Sequence, residues 1–202
     1  MVDLSALRFY TLGALAVQLT ALSPVSAECP IFVGIFEEFT WIRCEGKGSF
    51  MNSPAIKEFG MGRIAAGEKR IIFDLGACIG MDSTFMGTLA GLAGRLPTQA
   101  ESGIQVADAG DRNRRSLEDL GLDFLMEIDP PEAKWLQTVN SIRTNLTRLD
   151  PLPPPTQFQQ TRHVLDAHQI LSKTNEKNTR AFANVVTLLE SELAEKPESP
   201  NK

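Results

Sequence analysis

One hydroxyl in this sequence stands in a setting that could do chemistry. It belongs to Ser83, which follows Asp82 and precedes Thr84. Three uses are open to it. Ser83 can cap a helix by accepting a backbone N–H bond, worth about 1 kcal/mol. It can attack as a nucleophile, which requires a base beside it. Or it can carry a phosphate, which adds close to two negative charges at neutral pH. The nucleophile finds little support nearby. No Gly-x-Ser-x-Gly elbow surrounds Ser83. The two histidines, His163 and His168, lie far along the chain beyond a proline-rich stretch. Asp74 and Asp82 lack a third group with which to share acid–base work, so a carboxylate pair is set aside. The cap and the phosphosite both remain open.

The elements that must position Ser83 follow from periodicity. Residues 70–75 form a short apolar run bounded by glycine, as a core strand does. A small-residue loop then leads to a helix beginning at Ser83. Phe85, Leu89, Leu92 and Leu96 recur at spacings of four, three and four, which makes a core-facing stripe. Gly87, Gly91 and Gly94 make a second stripe, each costing the helix about 1 kcal/mol relative to alanine. Such a stripe implies close approach to another backbone, the chain's own sheet in preference to a partner. Residues 30–36 and 39–44 read as two earlier strands. Asn52-Ser53-Pro54 opens a helix with Ser53 as cap, ending near Gly67. A fourth strand covers 103–107, Asp111 caps a short helix that closes at Gly121, and 124–128 is a last short strand. Strands alternating with helices of this length predict an α/β fold, a mainly parallel sheet with helical crossovers, over 30–129.

Beyond that block, 130–160 reads as a helix around Trp135, Leu136, Val139 and Ile142, then a stiff linker containing Asp150-Pro151-Leu152-Pro153-Pro154-Pro155. Residues 161–195 read as one long amphipathic helix. Its seam of Val164, His168, Leu171, Asn175, Asn178, Phe182, Val185 and Leu189 is polar in the middle. It either folds back on the domain or serves dimerisation or docking, and His168 reads as a surface histidine. Residues 196–202 read as a disordered tail. Residues 1–27 resemble a signal segment or a start placed too far upstream.

Bulk properties narrow the function. With 202 residues and a net charge of −5, no attraction to nucleic acid or anionic membrane is implied. Cys29, Cys44 and Cys78 form no CxxC pair, and Cys78 reads as a small core residue. Two histidines make an ordinary zinc site an unsuitable reading, and no cofactor is expected. Asn145-Leu146-Thr147 is a glycosylation sequon, relevant only to an exported eukaryotic protein.

Ile71-Ile72-Phe73-Asp74-Leu75, the small loop, Asp82-Ser83-Thr84 and the apolar helix resemble the STAS domain of bacterial anti-sigma factor antagonists. Val106-Ala107-Asp108-Ala109-Gly110, and then Asn113 through the Leu120-Gly121-Leu122 turn, is similar to that family's last strand–helix unit. Asn52-Ser53-Pro54 resembles its first helix start. The resemblance covers about residues 30–129. It implies a non-enzymatic module that, unphosphorylated, captures an anti-sigma factor with serine kinase activity and so regulates sigma-factor-dependent transcription. A serine phosphatase reverses the phosphorylation. The matching phosphoacceptor is Ser83, with Thr84 as the alternative. The implied partner face comprises Asp82, Thr84, Phe85, Gly87 and Arg112. Many members have glycine after the phosphoserine, whereas Thr84-Phe85 stands here. The implied location is cytoplasmic, with direct contact neither to nucleic acid nor to membrane. Residues 1–27 leave an alternative open: an exported or envelope-associated module that binds a small molecule or lipid without phosphorylation. An enzyme using Ser83 would need a basic partner that the sequence does not place beside it.

Overall fold

The computed structural model describes residues 29–97 and 102–195. The signal-like segment and the polar tail lie outside the described residues. Six strands, β1 (Ile31–Ile35), β2 (Thr40–Gly48), β3 (Arg70–Met81), β4 (Gly103–Ala107), β5 (Met126–Ile128) and β6 (Thr147–Arg148), form one sheet in the order β5-β4-β3-β2-β1-β6. β2 to β5 run parallel, and β1 pairs antiparallel with both β2 and β6. Helices α1 (Ser53–Ala65), α2 (Ser83–Ala93) and α3 (Gly110–Asp119) make the crossovers, so the α/β expectation is met. α4 (Val139–Thr144), α5 (Gln157–Ser172) and α6 (Glu176–Glu195) follow.

Alternation along the strands builds two cores. Ile42 and Cys44 of β2 and Ile71, Phe73 and Leu75 of β3 point towards the crossover helices, where Phe85, Leu89, Leu92 and Leu117 meet them. Trp41 and Ile72 point to the opposite face and are covered by Trp135 and Ile142. The Trp41 and Trp135 rings pack edge to face at 5.3 Å. β3 is the central strand, buried on both faces, which explains its unbroken apolar run.

Four local expectations need correction. The loop at 76–81 is strand: β3 continues to Met81, paired with Glu45 to Gly48 of β2 across two register shifts. Small residues tolerate those irregularities, which is why the segment resembles a loop in sequence. Asp111 does not cap α3, which begins at Gly110 without a side-chain cap. The helix expected around Trp135 to Ile142 is shortened to a 3-10 turn at Leu136–Thr138 and α4, and is followed by β6, which adds to the β1 edge; residues 149–156 are irregular. The single long C-terminal helix is two. α5 starts in a Thr156–Gln159 capping box and ends at Ser172, and Asn175 Oδ1 accepts the Asn178 N–H to start α6. The pair folds into an antiparallel hairpin, with Gln157 bonded to Glu192 and His168 against Phe182. Asn175 and Asn178, the polar middle of the expected seam, make this corner. Asn178 is buried, and its amide donates to the Leu120 carbonyl. Among the described residues, no helix is long and apolar enough to cross a membrane.

Candidate functional site

Ser83 is the first residue of α2, at the end of β3. The helix cap is Asp82. Its backbone is extended, and its Oδ1 accepts the Phe85 N–H at 2.8 Å. The other oxygen accepts the Phe50 N–H at 2.9 Å. One carboxylate thus ties the start of α2 to the loop after β2, and the Ser83 hydroxyl is released from capping.

That hydroxyl meets His168 of α5, with Oγ 2.9 Å from Nε2. The other ring nitrogen fixes the direction of the bond. Nδ1 lies 2.8 Å from the Val164 carbonyl, which can only accept. When the ring is neutral, Nδ1 therefore carries its proton, Nε2 presents its lone pair, and Ser83 donates. His168 is only 7% exposed, with its ring on Phe182 at 5.2 Å, so it is not the surface histidine of the sequence reading. The helix break at Thr174 and Asn175 folds α6 over it.

A second pair lies one turn away. Ser53, expected as the cap of α1, is buried and hydrogen-bonded to His163 Nε2 at 2.8 Å. α1 begins at Ser53 with Asn52 before it and no side-chain cap bond, because Asn52 Oδ1 accepts the Ser49 N–H instead. Lys57 pairs with Asp166 at 3.1 Å beside them. Burial pushes His163 down to about 4; Lys57 acts in the same direction, and Asp166 and Asp82 oppose it. His163 is therefore neutral at pH 7.

The glycine stripe explains how α5 comes so close. A Cβ on Gly87 would stand 2.5 Å from the Ala167 carbonyl oxygen, and one on Gly91 would stand 2.8 Å from Ile170 Cδ1. The backbone these glycines approach is neither the sheet nor a partner. It is α5 of the same chain. Gly87, expected on a partner face, is thus covered internally. Phe85 is fully buried beneath Gly48, where a Cβ would lie 2.9 Å from its ring. Thr84 is 4% exposed, so neither its hydroxyl nor the Phe85 ring is presented to a partner in this conformation. Of the expected contacts, Asp82 and Ser83 are half-buried and Arg112 is exposed. The Arg112 guanidinium lies over Gly80, in van der Waals range of a Cβ there, and so beside the strand end that leads to Ser83.

Sequence reasoning missed several residues of this region. His168 stands in the helical seam and His163 beside it in sequence, and a histidine on a helix carries no signal of its partner. Phe50, Met51 and Ile79 are exposed apolar side chains around the Asp82 junction, with Met51 and Ile79 71% and 68% exposed. Periodicity cannot flag them because they sit in a turn and on an irregular strand end. Asp74 is fully buried on the opposite face, where it accepts from Arg43 and twice from Arg143, and from Trp41 Nε1 at 3.3 Å. Burial alone would raise its pKa. Hydrogen bonds from Arg143, the Gly76 backbone and Arg43 outweigh that and hold it below the usual carboxylate range. It is a structural anchor for α4.

Chemically, the pair can do two things. His168 can hold the Ser83 hydroxyl until the hairpin moves. It can also take the Ser83 proton, the role of a general base.

No protein-family model matches the chain, and no curated protein matches it. Solved structures do. The chain is similar to an anti-sigma factor antagonist from Mycobacterium paratuberculosis, with 19% identity over 58% of this chain and 97% of that one and a TM-score of 0.48. It is similar to the Bacillus cell-fate determinant SpoIIAA in its phosphorylated form, with 18% identity, 56% and 99% coverage and a TM-score of 0.43. For unphosphorylated SpoIIAA, described as an anti-sigma factor antagonist, the values are 16%, 56%, 97% and 0.43.

Proposed function

We propose that this chain is a phosphorylation-switched binding module of the anti-sigma factor antagonist kind, and that its α5–α6 hairpin is a built-in occupant of the switch face. Residues 30–129 carry the module. The partner is an anti-sigma factor with serine kinase activity, a serine phosphatase resets the switch, and the setting is the cytoplasm. The observation that carries this reading is the Ser83–His168 bond. It sets the hydroxyl that matches the family's phosphoacceptor at the start of a helix, half-buried under a separable element. Phosphorylation removes the proton that Ser83 donates. A tetrahedral phosphate does not fit in the 2.9 Å between Oγ and Nε2. The start of α2 favours the added charge, while α5 must give way. Unphosphorylated, the Asp82 junction presents Phe50, Met51 and Ile79 to a partner, with Arg112 beside it for an acidic group.

The test is incubation of the full chain with ATP and a serine kinase of the anti-sigma factor type, followed by mass mapping. One phosphate is expected, on Ser83, and it should arrive faster in His168→Ala. Equal phosphorylation of Ser83→Ala would refute the assignment.

The Ser83–His168 pair also favours a second reading, a serine nucleophile activated by histidine. Against it, the Phe85 N–H, a donor at the helix start that could face an oxyanion, is already engaged by Asp82. Labelling of Ser83 by a fluorophosphonate, abolished in His168→Ala, would establish that reading instead.

A further inference from the structure

Where α5 crosses α1 and α2, the three helices leave a cleft of about 270 Å³. Its lining is apolar at Leu92, which is buried, and at Met61 and Ile170, which are half-buried. Three cations share the cleft, one from each helix: Lys57 of α1, Arg95 just past α2, and Lys173, which closes α5. One carboxylate, Asp166, lines it with them. That carboxylate is already divided between Lys57 at 3.1 Å and Arg162 at 3.2 Å. Among the described residues, Arg95 and Lys173 have no carboxylate partner; Arg95 reaches only the Gly91 carbonyl, at 3.5 Å. The chain as a whole carries −5, so this gathering of positive charge runs against its composition. A cation after a helix C-terminus complements the helix dipole, which accounts for Arg95 and Lys173 singly. It does not account for their meeting Lys57 over one apolar cleft. His163 lines the cleft as well. Its Nε2 is taken by Ser53, and among the described residues its Nδ1 has no hydrogen-bond partner.

We propose that this cleft binds a compact organic anion, an aryl or short acyl group bearing one carboxylate or phosphate, and that the bound anion clamps the hairpin to the domain. The guanidinium of Arg95 and the ammonium of Lys173 suit an oxyanion head. Leu92, Met61 and Ile170 take the apolar body. The volume is at the small end for ligand sites and limits that body to about one ring. The site exists only while α5 is docked, because α5 supplies one wall and α1 and α2 supply the others. The anion therefore binds the closed hairpin and not the open one. The open population falls with ligand saturation, about tenfold at ten times Kd. In the Ser83 switch, on which this last consequence rests, the anion holds the hydroxyl under His168 and slows its phosphorylation.

The experiment is an NMR titration of the isotope-labelled, unphosphorylated full chain with phenyl phosphate and with benzoate, benzyl alcohol being the uncharged control. Saturable shifts are expected at Met61, Gly91 and Ile170 with at least one of the anions, and the tighter of the two identifies the head group. Arg95→Gln combined with Lys173→Gln, both at exposed positions, should weaken binding about tenfold or more. Anion at ten times Kd should slow exchange of the α5 and α6 amides about tenfold. No saturable shift with either anion, equal binding of benzyl alcohol, shifts confined to another face, or unchanged affinity in the double variant would each overturn the site. Binding that leaves α5 and α6 exchange unaltered would overturn the clamp. None of these readouts involves a phosphate on Ser83, so the cleft and the phosphosite fail separately.

Discussion

Gly87→Ala is the substitution that separates the hairpin from the rest of the fold. Within α2 alone, alanine should stabilise by about 1 kcal/mol, because glycine costs a helix that much. The new Cβ, however, would sit 2.5 Å from the Ala167 carbonyl oxygen and 2.9 Å from its carbonyl carbon. Those are backbone atoms and cannot rotate away, so α5 must lift by nearly an ångström. Overpacking of this kind costs about 1–3 kcal/mol. The helix gain is shared by the docked and open forms, so the full cost falls on docking and corresponds to roughly 5- to 150-fold more open hairpin. Amide hydrogen exchange should show it as faster exchange confined to α5 and α6, with β2 to β4 unchanged. Gly62→Ala on α1 is the control, since nothing lies within 4 Å of a Cβ there. It should leave the hairpin alone and raise stability slightly. Unaltered protection of α5 in Gly87→Ala, with the fold intact, would refute close packing of α5 on the glycine stripe.

Three further outcomes are expected. Asp82→Ala removes the α2 cap and the Phe50 tether, and thermal or urea unfolding should show a loss of about 1–2 kcal/mol. His163 is held well below the ordinary imidazole value, so the unfolded chain takes its proton first. Stability should therefore be full above pH 6.5 and decline towards pH 4, by about 1–2 kcal/mol after allowance for partial exposure. Urea midpoints at pH 7 and pH 5 should show the decline, and His163→Gln should flatten it. Asp74→Asn leaves two arginines short of a partner and should cost about 3 kcal/mol by urea unfolding. Because the Asp74 carboxylate is depressed, its contribution is present above the ordinary carboxylate pKa and disappears only at lower pH, a window separate from that of His163.

The sheet was legible because its strands carry their burial in their spelling. Residues 71–75 can only be a core strand, and the stripe from Phe85 to Leu96 can only face a core. The start of α2 is legible, whereas Ser83 is left open between cap and phosphosite, since aspartate and serine compete equally for the cap position that Asp82 takes. Glycines at 87 and 91 announce a close neighbour, but the sheet that the sequence favours is not the one. The neighbour lies about eighty residues on, in a hairpin whose turn has no glycine or proline to mark it. Long-range pairings of this kind, Ser83 with His168 and Ser53 with His163, depend on packing that periodicity does not encode.

Exchange of the α5–α6 amides in the full chain carrying phosphoserine at 83, compared with the unmodified chain, addresses the Ser83 gate most directly. Loss of protection in α5 and α6, with the sheet unaffected, is expected if phosphate and His168 cannot share the site. Equal protection in the two forms would contradict it.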